Sequence, residues 1–69
     1  MGNQVYKTLE LTGSSTTSIE DAVQTALLRA SKTIRDMKWF SVVETRGSIE
    51  NGKVGNWQVT IKVGFALEG

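Results

Sequence analysis

The sequence contains no cysteine, no histidine and no proline. Without cysteine there is neither a disulfide nor a thiolate metal site. Without histidine the commonest metal ligand and the commonest general base are both missing. Charge of one sign is also scarce: 8 Lys+Arg against 7 Asp+Glu leave a net +1, far from the basic field of a nucleic-acid binder. No apolar run approaches the ~20 residues of a membrane-spanning helix. The opening Met1-Gly2-Asn3-Gln4 lacks the basic-then-apolar layout of a signal peptide, so a cytoplasmic protein is expected. Gly2 is a weak myristoylation signal, because Tyr6 stands where Ser or Thr is wanted.

At 69 residues the chain reads as one domain, 1–69. A core this small is marginal alone, and with disulfides and metal sites set aside, oligomerisation is the remaining route to stability.

The patterning gives an α+β order, β-α-β-β. Val5, Leu9 and Leu11 alternate with Tyr6, Thr8 and Glu10, a first strand over about 4–12. Thr12 to Ser18 reads as a polar linker, and Thr17-Ser18-Ile19-Glu20 as a capping box, with Ser18 and Asp21 as a second option. Ile19, Ala22, Val23, Ala26, Leu27, Ala30, Ile34 and Met37 form one stripe at helical period, which predicts a helix over about 18–37. Glu20 and Asp21 open it and Lys32, Arg35 and Lys38 close it, the order that suits the helix dipole. Leu28 lies off the stripe, either a scattered surface leucine or a subunit contact. A second strand runs from about 39 to 50. Asn51-Gly52 then signals a type I′ hairpin, and a third strand over about 53–67 alternates Trp57, Val59, Ile61, Val63, Phe65 and Leu67 with smaller or polar residues. An antiparallel sheet packed on one amphipathic helix follows. The face away from the helix has nothing in the chain to cover it.

A bulge-free hairpin places Phe40 opposite Val63 and Val42 opposite Ile61 on the helix-facing side. Trp39 then lies opposite Gly64 on the outer side, with Val43, Thr45, Gln58 and Thr60. The same register sets Glu44 against Val59 and Arg46 against Trp57, an awkward burial that predicts a bulge near Arg46-Gly47. Trp39 has three readings: a subunit interface, a stacking platform for a flat ligand, or an ordinary half-buried tryptophan. Gln58 is an unremarkable outward polar residue or a ligand contact. Arg46 is a solvated cation or a bidentate phosphate binder. Trp57 belongs to packing. Gln58 and Gly64 are separated by about 20 Å of strand, so Trp39 and Gln58 serve one small ligand only if they come from different subunits.

Catalysis has little support. There is no nucleophile–base pair, no phosphate loop of the required spacing and no carboxylate cluster. Glu10, Glu44, Glu50 and Glu68 are scattered, and at most a pair of them holds Ca²⁺ between subunits.

Taken in order, the Thr-Gly-Ser-Ser segment, the helix ending Ala30-Ser31-Lys32-Thr33-Ile34-Arg35, Trp39-Phe40-Ser41-Val42, Thr45-Arg46-Gly47, Trp57-Gln58-Val59 and Val63-Gly64-Phe65 resemble the dodecins over nearly the whole chain. The resemblance implies a hollow homo-dodecamer of cubic symmetry that binds pairs of flavins (FMN or riboflavin) at subunit contacts, storing flavin and quenching its photochemistry without catalysis. It implies that Trp39 stacks on the isoalloxazine, Gln58 bonds the ring edge and Arg46 lies near the ligand's polar tail; some members also bind coenzyme A. Three positions depart from the usual bacterial pattern: Lys38 replaces aspartate, Ser41 replaces glutamate and Ala66 replaces an arginine that helps hold the flavin phosphate. Losing that charged hydrogen bond costs about 1.5–3 kcal/mol, which predicts weaker discrimination of FMN from riboflavin, with Lys38 as a compensating cation at the site. The alternatives are the same oligomeric shell without flavin, and a single-strand nucleic-acid module, for which outward aromatics and positive charge are too few.

Overall fold

The computed structural model describes residues 3–67; the readings placed on Gly2 and Glu68 lie outside them. Four elements follow one another: β1 (Tyr6–Ser15), α1 (Ile19–Ala30), β2 (Met37–Glu50) and β3 (Lys53–Ala66). The strands form one antiparallel sheet in the order β1-β3-β2, with β3 in the centre. Asn51 and Gly52 both take positive φ, 54° and 75°, as a type I′ turn demands.

The elements differ from expectation at two places. The expected linker after Thr12 continues as strand, with Gly13, Ser14 and Ser15 paired to Val59, Gln58 and Trp57. Polar content misleads here because β3 runs on beside it and supplies the ladder bonds. Gly13 also lets α1 approach closely: a Cβ at this position would overlap the Ala22 carbonyl oxygen and come within 2.9 Å of the Ala26 Cβ. The helix, expected to reach 37, stops at Ala30. Ser31 Oγ donates to the Leu28 carbonyl at 2.7 Å, a local bond that competes with helix continuation. Asp36, at φ 60°, then turns the chain into β2. Met37 keeps its predicted contact with the core, but as the first residue of a strand.

The start of α1 uses the second of the two capping options. Ser18 is the N-cap, its hydroxyl accepting from the Asp21 N–H at 3.0 Å. Ser15 adds a layer beneath: its Oγ accepts from the Thr17 N–H at 2.9 Å and donates to Asp21 Oδ2 at 2.7 Å. The predicted Thr17–Glu20 reciprocal box does not form, because Ser15 and Ser18 already satisfy the orphan donors.

The core gathers Ala22 and Val23 of α1 with Val59, Ile61 and Val63 of β3, flanked by Leu11, Ile19, Ala26, Leu27 and Met37. The helix packs over β1 and β3. Of β2 only Met37 joins the core, so Phe40 and Val42, expected there, remain 45% and 51% exposed. The radius of gyration is 14.4 Å, against about 11 Å for a compact chain of this length. The accessible surface is 5204 Å², against about 4,250 Å² for a compact monomer of this mass. The excess belongs to a long β2–β3 arm with Val42, Val43, Ile49 and Val54 in the open.

Candidate functional site

Register fixes what the helix-distal face carries. Trp39 pairs with Gly64, and Phe40 and Val42 with Val63 and Ile61, as the hairpin turn predicts. An unexpected register shift then falls between Val42 and Glu44, in addition to one beside the expected place at Arg46-Gly47. It exchanges the faces of Glu44 to Gly47, after which a second shift restores the register at Ile49 and Glu50. Thr45 moves opposite Val59, off the outer face where it was expected. Glu44 comes opposite Thr60 and Arg46 opposite Gln58. Without the shift, the carboxylate and the guanidinium would lie across from Val59 and Trp57 in place of the polar Thr60 and Gln58. A further shift separates Gly47 from Ile49, where Ser48 Oγ accepts from the Asn56 N–H at 3.0 Å.

The outer face is therefore not uniformly dry. Along its length stand Glu10 opposite Lys62, Thr12 opposite Thr60 and Ser14 opposite Gln58, with the two threonine hydroxyls 2.8 Å apart. The uncovered apolar surface lies instead on β2 and at the Trp39 end.

At that end the indole of Trp39 lies on the bare backbone of Gly64, where any Cβ would overlap its five- and six-membered rings. Tyr6 stands edge-on to it, ring centroids 6.2 Å apart at 69°. The ring is held from beneath and from one side and is still 42% exposed. Lys38 precedes it, and an apolar cleft of about 230 Å³ between Leu27, Met37, Phe40 and Val63 opens beside it. An isolated glycine in an otherwise unbroken alternation is the sequence signal for such a close approach, and Gly64 had been given no role on that ground.

Toward the arm, the polar residues form a linked set. Arg46 Nε donates to Gln58 Oε1 at 2.7 Å, and its Nη1 donates to Glu44 Oε1 at 3.1 Å in an exposed ion pair. Gln58 Nε2 donates to Asn56 Oδ1 at 3.2 Å. Glu44 had been weighed only as one of a pair of Ca²⁺ ligands, and Asn56 had not been singled out by sequence. Of the four predicted site residues, Arg46 and Gln58 touch and Lys38 and Trp39 are neighbours. The two pairs remain six strand positions apart, as measured from Gly64 to Gln58 along β3. Among the described residues, no three acidic groups gather as a metal cluster, and no helix is long and apolar enough to cross a membrane.

An exposed, backbone-seated indole and an ordered amide–guanidinium pair on a three-stranded sheet define a small module built for binding. Comparison with known proteins gives the family. The dodecin family profile matches residues 5–68. A dodecin of Thermus thermophilus is 49% identical over 65 residues, 94% of each chain. The dodecin structure from Streptomyces coelicolor superposes with a TM-score of 0.93 at 45% identity, covering 100% of this chain and 99% of that one. A calcium dodecin of Mycobacterium tuberculosis, described with a novel calcium-binding site, superposes at 0.80 with 29% identity, covering 93% and 91%. The chain belongs to the dodecin family, a family of non-enzymatic binding proteins whose members form dodecamers.

Proposed function

We propose that this chain assembles into a homo-dodecamer that binds flavin at subunit contacts, storing it and quenching its excited state. The observation that carries the reading is the Trp39 indole, seated on Gly64 and still 42% exposed. An aromatic platform of this kind is worth ~1–3 kcal/mol per stacked base, and a flavin ring has comparable area. A platform seated on backbone has little freedom to lose on binding. Gln58 offers a donor and an acceptor to the polar edge of the ring. Arg46 beside Gln58 and Lys38 next to Trp39 are cations that suit a phosphate tail.

Because Trp39 and Gln58 of one chain are too far apart to share a small ligand, a complete site takes them from different copies. The bare apolar surface of β2 supports such an assembly. Burying it against neighbours would bring the exposed area toward that of a compact particle. An indole against an excited flavin is a ready electron donor, which makes the site photoprotective.

Titration with FMN and riboflavin, followed by flavin fluorescence, tests the reading. Binding is expected to quench emission, and Trp39→Ala to weaken uptake by tenfold or more and abolish most of the quenching. A particle of dodecameric mass that takes up neither flavin would favour a structural shell.

A further inference from the structure

The geometry points to Arg46 and Asn56 as positioning residues for Gln58, setting which end of its amide carries the oxygen and so the recognition of the ligand's ring edge. This rests on the flavin-binding reading and gives Arg46 a role beyond that of its charge.

The argument is one of donors and acceptors. Arg46 has only N–H groups and no acceptor. The group it meets on Gln58 across the β2–β3 register must therefore be the carbonyl oxygen, and Nε reaches it at 2.7 Å. Turned over, the amide would bring its NH₂ against the guanidinium, donor to donor. On the other side the Gln58 NH₂ donates to Asn56 Oδ1 at 3.2 Å. Glu44 holds the guanidinium from behind through Nη1 at 3.1 Å. Each neighbour uses only part of what Gln58 has. The carbonyl has two lone pairs and the NH₂ two hydrogens, so one acceptor and one donor remain, side by side on a fixed amide. That pair matches an imide edge, in which a ring N–H stands beside a carbonyl. The pyrimidine ring of a flavin has such an edge whatever its tail.

A role confined to charge predicts that loss of Arg46 weakens FMN and spares a flavin without a tail. The positioning role predicts the reverse emphasis. Lumiflavin, which carries no ribityl or phosphate group, and its N3-methyl derivative are the probes, titrated by fluorescence into the assembled protein, with size-exclusion chromatography confirming that each variant assembles. In the unsubstituted protein, methylation at N3 is expected to weaken binding about tenfold, the scale of one good hydrogen bond and the cost of leaving its partner unpaired. In Arg46→Ala the methylation penalty is expected to fall to about threefold or less, and Asn56→Ala to act in the same direction. In a Gln58→Ala background, Arg46→Ala is expected to change lumiflavin binding no further, because the two residues act as one unit.

An unaltered methylation penalty in Arg46→Ala would overturn the inference, as would an undiminished effect of Arg46→Ala once Gln58 is gone, which would mean direct contact with the ring. Failure of the unsubstituted protein to bind lumiflavin, riboflavin or FMN would remove the flavin reading itself and this inference with it.

Discussion

Val42 and Ile61 face each other across one register position, on the same side of the same sheet. Ile61 is fully buried and Val42 is 51% exposed. Phe40 and Val63 repeat the contrast one step along, 45% against 0%. Hydrophobicity and strand pairing are alike within each pair. The difference is the helix, which ends at Ala30 and lies mainly over β1 and β3. One half of the sheet is thus finished within the chain, and the other leaves apolar surface in the open, where the proposed assembly would cover it.

This contrast can be broken directly. Ile61→Ala removes packing from the finished half and is expected to cost about 2–5 kcal/mol, read as a lower denaturation midpoint. Val42→Asp should act on assembly instead, moving the chain to single-copy mass in sedimentation. A Val42→Asp protein that still sediments as the full assembly would show that the open half is not the contact surface.

A smaller effect is expected where the open half meets the outer face. Gly64→Ala puts a methyl group into the seat of the Trp39 indole. Because Trp39 is half exposed, the ring can swing away without unfolding the sheet, so flavin affinity should drop about tenfold (roughly 1.4 kcal/mol) while circular dichroism is preserved. Unchanged affinity would mean that the seat beneath the ring is unimportant to stacking.

The smallest expected effect sharpens the comparison. Ala66 pairs with Tyr6 on the outer face, beside Trp39 and Gly64. Ala66→Arg adds a cation at this end and should raise the preference for FMN over riboflavin about threefold to tenfold, the lower part of the range for a charged hydrogen bond because the site is open to water. An unaltered affinity ratio rejects a phosphate role for this position.

The order of elements, the Asn51-Gly52 turn and the pairing of Trp39 with Gly64 were legible in the sequence because each depends on local chemistry or strict alternation. The end of the helix was not. Its apolar stripe continues through Ile34 to Met37, and no glycine or proline marks a stop; the chain leaves the helix through Ser31 and turns at Asp36, a residue that tolerates positive φ. The exposure of Phe40 and Val42 was also hidden, since alternation shows which side of a sheet a residue occupies and not how far a helix extends across it. Within the candidate site, Trp39 and Gln58 could be placed on one face from the turn alone. The contact of Arg46 with Gln58 could not, because a second, unforeseen shift at Val43 accompanies the one expected near Arg46-Gly47.

That shift decides how the segment tolerates change. Exchanging one side chain between Phe40 and Arg46 alters one spot on one surface. Removing or adding a single residue there would restore the opposite parity downstream, turning Glu44 and Arg46 toward the oily side and Thr45 toward the outer face. In this stretch the spacing of the residues matters more than their individual identities.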